Sequence, residues 1–445
     1  MNYRKILQWA IVVALGGFLF GLDTAVISGC EKTLQALWSL SDAMIGQVVA
    51  MALYGTIVGA IFGGIPAETF GRKITLFWIA ILYLVSAVGC ALAPEVYTLM
   101  IFRFIGGLSV GASSVVAPMY IAEISPDEKR GQLTAMFQFN IVFGILVAYF
   151  SNWVIGTDGP DDWRWMLGIV ALPALAFTIL VLFIPESPRW LVTRRGNHGE
   201  ALRILRIINP QTAQEALEAI QASTHNGQPE AGAGLGTFFS RKYRWPILLA
   251  FLFAFFNQVS GINAVIYYAP RIFEAAGLGT QVALLSSVGI GLVNLVFTML
   301  GLSLIDRMGR RFLMYIGSVG YIISLSLVSV LFMTQATSAG LLLPILLFVF
   351  IAAHAIGQGA VIWVFISEIF PNEVRSWGNS LGSSTHWVFA ALIAGNFPYL
   401  AGQLGQGLIF ALFAAMMVFQ LLFVWRMMPE TKGVSLEELS QSLQK

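Results

Sequence analysis

Charge is what this chain has least of. Only 11% of its residues are Asp, Glu, Lys or Arg, against 57% hydrophobic, whereas a soluble domain carries about 25% charged residues. Too little charge remains to cover a soluble globule of 445 residues. Cysteine is nearly missing as well. Cys30 and Cys90 alone exclude a disulfide framework and leave at most one bridge open. The sequence also lacks a cluster of metal-ligating residues, a nucleophile with its base and a glycine-rich phosphate loop, so neither an enzyme nor a metal site is expected. The net charge of +2 says nothing about partners, and nothing in the chain calls for nucleic acid.

What is present is apolar runs of about 20 residues, the length that crosses roughly 30 Å of hydrocarbon. Lipid cannot satisfy exposed backbone groups, so such runs must be helices, and a lipid bilayer is the partner they require. The expectation is an all-α membrane protein with twelve spans: 7–29, 44–66, 74–93, 97–121, 133–153, 165–185, 245–270, 281–305, 312–334, 341–366, 377–400 and 405–428. The expected division is an N-terminal six-helix half (1–185), a cytoplasmic linker (186–244), a C-terminal half (245–428) and a cytoplasmic tail (429–445). Within the linker, 197–222 reads as short amphipathic helices and 223–236 as a flexible Gly-rich stretch. The tail from Ser435 to Leu443 reads as a short capped helix. The first run is too long for a signal sequence and is expected to be retained.

Basic residues set the orientation. With both termini cytoplasmic, 21 of the 25 Lys and Arg fall on that side, only Lys32, Arg164 and Arg271 fall outside, and Arg103 lies within a span. The expected location is therefore the cell (inner) membrane, with both ends inside.

Three motifs occur twice, in the same order. Glu123-Ile124-Ser125-Pro126 to Arg130 returns as Glu368-Ile369-Phe370-Pro371 to Arg375, offset by 245; Gly71-Arg72-Lys73 returns as Gly309-Arg310-Arg311, offset by 238; Pro185-Glu186-Ser187 returns as Pro429-Glu430-Thr431, offset by 244. One unit has been used twice, which in a membrane protein points to a transporter with its site between the halves. At the cytoplasmic ends of the spans, Glu123, Arg130, Glu368 and Arg375 can pair between helices, as can Glu68 with Arg72 and Asp306 with Arg310. Such pairs are expected to latch the cytoplasmic side and to open during transport.

Two charges lie inside spans, where a charge costs roughly 2.5–3.5 kcal/mol and usually marks function. Asp23 and Arg103 each sit about six residues, or roughly 9 Å, from the same membrane face on antiparallel helices, so they can meet. A carboxylate whose partner changes with conformation can load and release a proton; the alternative is a static pair that locks two helices. Sugars need groups that both donate and accept, plus an aromatic face. The spans supply Gln138, Asn140, Asn257, Gln258, Asn263, Asn294, Trp363 and His386. For any lone amide the alternative is helix–helix glue, an even choice for Asn140.

These motifs resemble those of the sugar porter family of the major facilitator superfamily. The likeness spans nearly the whole chain: Gly17-Phe18-Leu19-Phe20-Gly21-Leu22-Asp23-Thr24 in the first span, Arg103-Phe104-Ile105-Gly106-Gly107 in the fourth, Pro185-Glu186-Ser187-Pro188-Arg189 after the sixth, Gly261-Ile262-Asn263-Ala264-Val265-Ile266-Tyr267-Tyr268 in the seventh and Asp306-Arg307-Met308-Gly309-Arg310 after the eighth. The resemblance implies a monosaccharide/proton symporter working by alternating access, with the proton as coupling ion and no cofactor, and a monomer suffices. It implies sugar contact for Gln138, Asn257, Gln258, Asn263, Asn294, Trp363 and His386, with Phe20 nearby. It implies proton coupling for Asp23 with Arg103, since the family's animal uniporters carry a neutral residue at the Asp23 position. It also implies an outer gate at Tyr267 and Tyr268. A uniporter of the same fold, a polyol carrier and a transporter-derived sensor are the alternatives.

The chain departs from the family in places. Asn257 replaces a Gln, His386 stands where Asn or Gln is usual, and Glu68 and Thr69 replace an Asp and a basic residue, which should weaken the N-half pairs. The tenth-span stretch Gly357-Gln358-Gly359-Ala360 lacks the usual Pro, so its hinge would rest on glycine. His386 can hydrogen-bond a hydroxyl as a neutral ring or serve as a second proton site. His354 is expected to pack or hydrogen-bond, and His198 and His225 have no expected role.

Overall fold

The computed structural model describes residues 3–126, 129–225, 235–335, 341–371 and 373–434, without the side chains of Arg130, 223–225 and 235. The expected tail helix from Ser435, most of the Gly-rich stretch and the side chains of Arg130 and His225 lie outside the described residues. Every described element is helical. The spans are Tyr3–Val26, Asp42–Phe62, Arg72–Leu92, Val96–Ile124, Arg130–Ile155, Asp162–Gly168 with Ala171–Val181, Arg244–Val259 with Ile262–Ala275, Thr280–Met308, Arg310–Met333, Leu342–Glu368, Arg375–Leu404 and Gln406–Arg426. Eleven of the helical stretches are long and apolar enough to cross a membrane. The eleventh span in chain order, Arg375–Leu404, is long enough at 30 residues but more polar. The protein is therefore a multi-pass integral membrane protein.

The chain contacts itself in two compact units. One comprises 1–24, 51–148 and 164–231; the other comprises 25–50, 149–163 and 232–445. In the first unit, helices approach backbone to backbone where glycine leaves room. A Cβ on Gly107 of the fourth span would lie 1.9 Å from the Ala52 carbonyl oxygen of the second. In lipid such close approach replaces the hydrophobic drive that packs helices in water. Three short helices follow the sixth span: Pro188–Thr193, His198–Ile208 and Ala213–His225. Ser187 and Asn197 cap the first two, accepting from the Trp190 and Glu200 amides.

The second unit gathers the ends of the first and fifth spans onto the seventh. Tyr149 Oη donates to the Ile266 carbonyl at 2.6 Å, and Asn152 Nδ2 to that of Val26 at 3.0 Å. The seventh span breaks at Gly261, whose φ of +84° suits glycine. It kinks again at Tyr268 (φ −126°, ψ 20°), two residues before Pro270. The tenth span carries a π-helical turn, Ala355–Gly359, in place of the missing Pro hinge. Cys30 and Cys90 are both buried and neither is in a disulfide.

Candidate functional site

Four groups of residues carry the chemistry. The first two are matching ion-pair clusters at the ends of the spans, at the expected latch positions. In the N-terminal half, the Arg72 guanidinium donates to Glu123 through Nε (3.0 Å) and Nη2 (3.0 Å), to Glu68 (2.7 Å) and to the Ala67 carbonyl (3.0 Å). In the C-terminal half, Arg310 donates to Glu368 (3.2 and 2.8 Å) and to the Ile305 carbonyl (3.1 Å), and pairs with Asp306 at 3.2 Å. Glu68 does not weaken its latch. Its extra methylene lets it reach Arg72 at 2.7 Å and Arg194 at 3.2 Å, while its backbone carbonyl accepts from the Trp190 indole at 2.9 Å.

Arg375 is a correction. Its Nε donates to the Phe370 carbonyl at 3.2 Å, and Nη2 has no partner among the described residues. Arg310 occupies Glu368 in its place, because it reaches both carboxylate oxygens from the start of the ninth span.

Sequence reading missed two members of these latches. Glu186 accepts from the amides of Arg72 (2.9 Å), Lys73 (3.1 Å) and Ser187 (2.8 Å). Glu430 accepts from those of Arg310 (3.0 Å), Arg311 (3.0 Å) and Thr431 (3.0 Å). Each carboxylate thus satisfies the orphan N–H groups at a helix start and faces the positive end of its dipole. The repeated Pro-Glu-Ser/Thr motif was the available signal.

The third group is the intramembrane charge pair. Asp23 is 8% exposed and Arg103 1% exposed. They attract each other electrostatically, yet no hydrogen bond or ion pair joins them among the described residues, and Nε and Nη2 of Arg103 have no partner. One Asp23 carboxylate oxygen instead lies 3.6 Å from where a Gly106 Cβ would stand.

The fourth group is polar and lies in the C-terminal half. Asn263 Nδ2 donates to Gln258 Oε1 at 2.6 Å. Gln258 Nε2 donates to Asn257 Oδ1 at 2.7 Å and to the His386 ring at 3.1 Å. A ring nitrogen that accepts carries no proton, so this bond needs neutral His386 and disfavours its use as a second proton site. The His386 ring lies between Trp363 (5.1 Å between centroids) and Trp387 (4.8 Å). Trp363 keeps 42% of its surface exposed.

Asn257 departs from expectation. It is 2% exposed and bonded at both ends of its amide, to Gln258 and to Gln358, so in this structure it braces Gln258 and is not at the surface. Asn294 is also turned inward, accepting from Thr298 at 3.2 Å. Asn140 donates to the Met136 carbonyl of its own helix at 2.8 Å. Gln138 and Phe20 are half-buried on the fifth and first spans. His354 bonds Tyr321 at 2.5 Å, and His198 bonds Gln221.

Tyr267 and Tyr268 are 1% and 0% exposed. Tyr268 donates to the Ala394 carbonyl at 2.8 Å and stacks on Phe397. Beside them lies a charged cluster that sequence reading counted only as external charge. Arg271 Nε donates to fully buried Glu31 at 2.8 Å, its Nη2 to Gln35 at 2.5 Å, and Lys32 pairs with Glu274. An acidic residue just after the first span was the signal. Among the described residues, no group of three or more His, Cys, Asp or Glu could hold a metal.

The sequence matches the sugar (and other) transporter family over residues 9–443. It is 36% identical to the D-xylose-proton symporter of Escherichia coli (strain K12), covering 98% of this chain and 96% of that protein. It is 37% identical to the arabinose-proton symporter of Bacillus subtilis (strain 168), covering 96% and 92%. Among solved structures, the inward open conformation of the xylose transporter XylE from E. coli superposes with a TM-score of 0.86 at 34% identity, covering 98% of this chain and 99% of that one. The proton:xylose symporter XylE bound to 6-bromo-6-deoxy-D-glucose superposes at 0.80 with 35% identity and full coverage of both. Repeated latches, a buried acid in the first span and an amide cluster beside exposed indole have led to one place: the chain belongs to the sugar (and other) transporter family.

Proposed function

We propose that this protein imports a monosaccharide, a pentose or hexose, together with protons by alternating access. It would do so as a monomer in the cell (inner) membrane, with both termini cytoplasmic and the proton as its only coupling ion. The observation that carries the coupling is Asp23: a carboxylate 8% exposed, attracted by Arg103 but not bonded to it. Such a group can exchange one stabilising partner for another, a proton or a guanidinium, as the protein changes state.

The sugar would be held by Asn263, Gln258 and His386 against the Trp363 face, with Asn257 bracing Gln258 and with Gln138, Asn294 and Phe20 contributing as the family resemblance implies. Tyr267 and Tyr268 would close the outer side. The latches of Arg72 with Glu123 and of Arg310 with Glu368 would close the cytoplasmic side, with Asp306, Arg130 and Arg375 beside them. The relatives called symporters of D-xylose and arabinose favour a pentose.

Uptake of labelled monosaccharides into proteoliposomes, with and without an inward proton gradient, tests this reading. Gradient-driven accumulation of one sugar is the expected result. Equilibration without accumulation would make the protein a uniporter.

A further inference from the structure

The amide cluster does not end at Asn257. Asn257 Nδ2 donates to Gln358 Oε1 at 3.3 Å, Gln358 Nε2 to Gln420 Oε1 at 2.9 Å, and Gln420 Nε2 to Ser318 Oγ at 2.8 Å. With the bonds from Asn263 to Gln258 and from Gln258 to Asn257, five hydrogen bonds form one line through the seventh, tenth, twelfth and ninth spans. All five donate in the same direction. Each amide after Asn263 uses its carbonyl toward the sugar-facing end and an N–H toward the far end, so each neighbour dictates the orientation of the next.

The line is dry. Gln358, Gln420 and Ser318 are each 0% exposed and Gln258 is 1% exposed. No solvent can replace a lost partner there, so a broken link leaves an orphaned polar group, and the remaining amides gain by turning over. Gln358 sits in the π-helical turn Ala355–Gly359, whose extra residue re-aims its side chain. At the other end, the orientation of Gln258 decides whether His386 is met by an N–H or by a carbonyl.

We propose that Gln358 and Gln420 are positioning residues that set sugar selectivity: they touch no substrate, but they fix the donor and acceptor pattern that Gln258, Asn263 and His386 present. The proposal rests on the reading of that cluster as the sugar site. It predicts that residues on the tenth and twelfth spans control affinity and discrimination through a shared line, and therefore not independently of each other.

The test is transport kinetics of the full-length protein in proteoliposomes over a panel of pentoses and hexoses. Gln358→Leu and Gln420→Leu should each raise KM for the preferred sugar about tenfold, the scale of one lost hydrogen bond. They should leave kcat within about threefold and narrow the KM ratio between preferred and poor sugars. The double variant should be no worse than either single one, because one line is broken only once. Gln420→Glu, neutral when protonated in a dry site, keeps both an acceptor and a donor and should restore KM to within about twofold.

Wild-type KM and selectivity in both leucine variants would overturn the proposal, as would effects that multiply in the double variant. A fall in kcat or yield with KM unchanged would also overturn it by making the line merely structural. If Gln358→Leu does not fold, Gln420→Leu with Ser318→Ala at the chain's end decides the same question. A wild type that carries no sugar would sink the sugar reading and this inference with it, whereas normal wild-type transport with unaltered variants sinks this inference alone.

Discussion

The two halves bury their polar groups in opposite ways. In the N-terminal half the ionisable side chains Asp23 and Arg103 are buried and not bonded to each other, and two Arg103 nitrogens have no partner among the described residues. In the C-terminal half the amides are neutral and bonded end to end. An unsatisfied buried charge is expensive and is relieved by any change that supplies a partner. A satisfied neutral network is stiff and keeps one arrangement. The first is suited to a step that must switch, the second to a surface that must recognise. At the latches the halves agree, Arg72 with Arg310, Glu123 with Glu368 and Glu186 with Glu430, and differ by one methylene where Glu68 stands opposite Asp306.

The comparison breaks if the N-terminal charge is not the switch. Asp23→Asn should abolish accumulation, with the inside-to-outside sugar ratio falling to unity under an imposed proton gradient while sugar exchange continues. Accumulation by this variant would make Asp23 a structural residue.

The likeness of the latches is sharpened by removing each arginine in turn. Arg72→Ala and Arg310→Ala strand paired carboxylates and should each cost about 3 kcal/mol of stability in detergent, measured by thermal or denaturant unfolding. Arg72→Ala should cost slightly more, because Glu123 is 10% exposed and Glu368 24%. Equal, negligible losses would reduce both latches to surface pairs.

Gln258→Leu removes the hydrogen bonds to three partners at once, Asn263, Asn257 and His386. It should raise KM by about tenfold or more without ending proton-driven accumulation by the residual transport. Loss of coupling in this variant would erase the division of labour between the halves. His386→Gln restores an amide beside Trp387 and should shift KM by no more than about threefold, with no change in the pH dependence of accumulation. A changed pH profile would mark His386 as a second proton site.

The smallest effect belongs to Glu31. Burial pushes its carboxyl above the usual value, and Arg271 only partly offsets this. The folded state therefore holds that proton more tightly than the unfolded chain. Its contribution to stability is full below the ordinary carboxylate value near about 4.3 and is lost as pH rises through the raised one. Between about pH 4 and 7 the melting temperature of the wild type should fall by about 1–2 °C more than that of Glu31→Gln. Parallel curves would show that Glu31 does not titrate in that window.

Most of the fold was legible because lipid leaves a chain so few options. Apolar runs of fixed length had to be helices, and the duplicated motifs exposed the two latches before any contact was known. Partner choice was less legible. Arg375 repeats Arg130 in sequence, yet Arg310 reaches Glu368 from the start of the ninth span, a matter of register that spacing does not reveal. Asn257 read as a sugar ligand, but its side chain turns inward because Gln358 offers it a carbonyl there. Nothing in the sequence links Gln358 to Gln420, since the line through them depends on a π-helical turn with no sequence signature of its own. Glu31 and Arg271 lie 240 residues apart, and nothing local marks either as the other's partner.

The grip of Glu186 and Glu430 on the starts of the third and ninth helices also fastens the chain that leaves each sixth helix. In each half, the residue just after the last helix is tied to the beginning of the third, so one carboxylate holds the exit of one helix against the entry of another. Each copy of the repeat carries the same clasp, and a movement of either end has to carry the other with it.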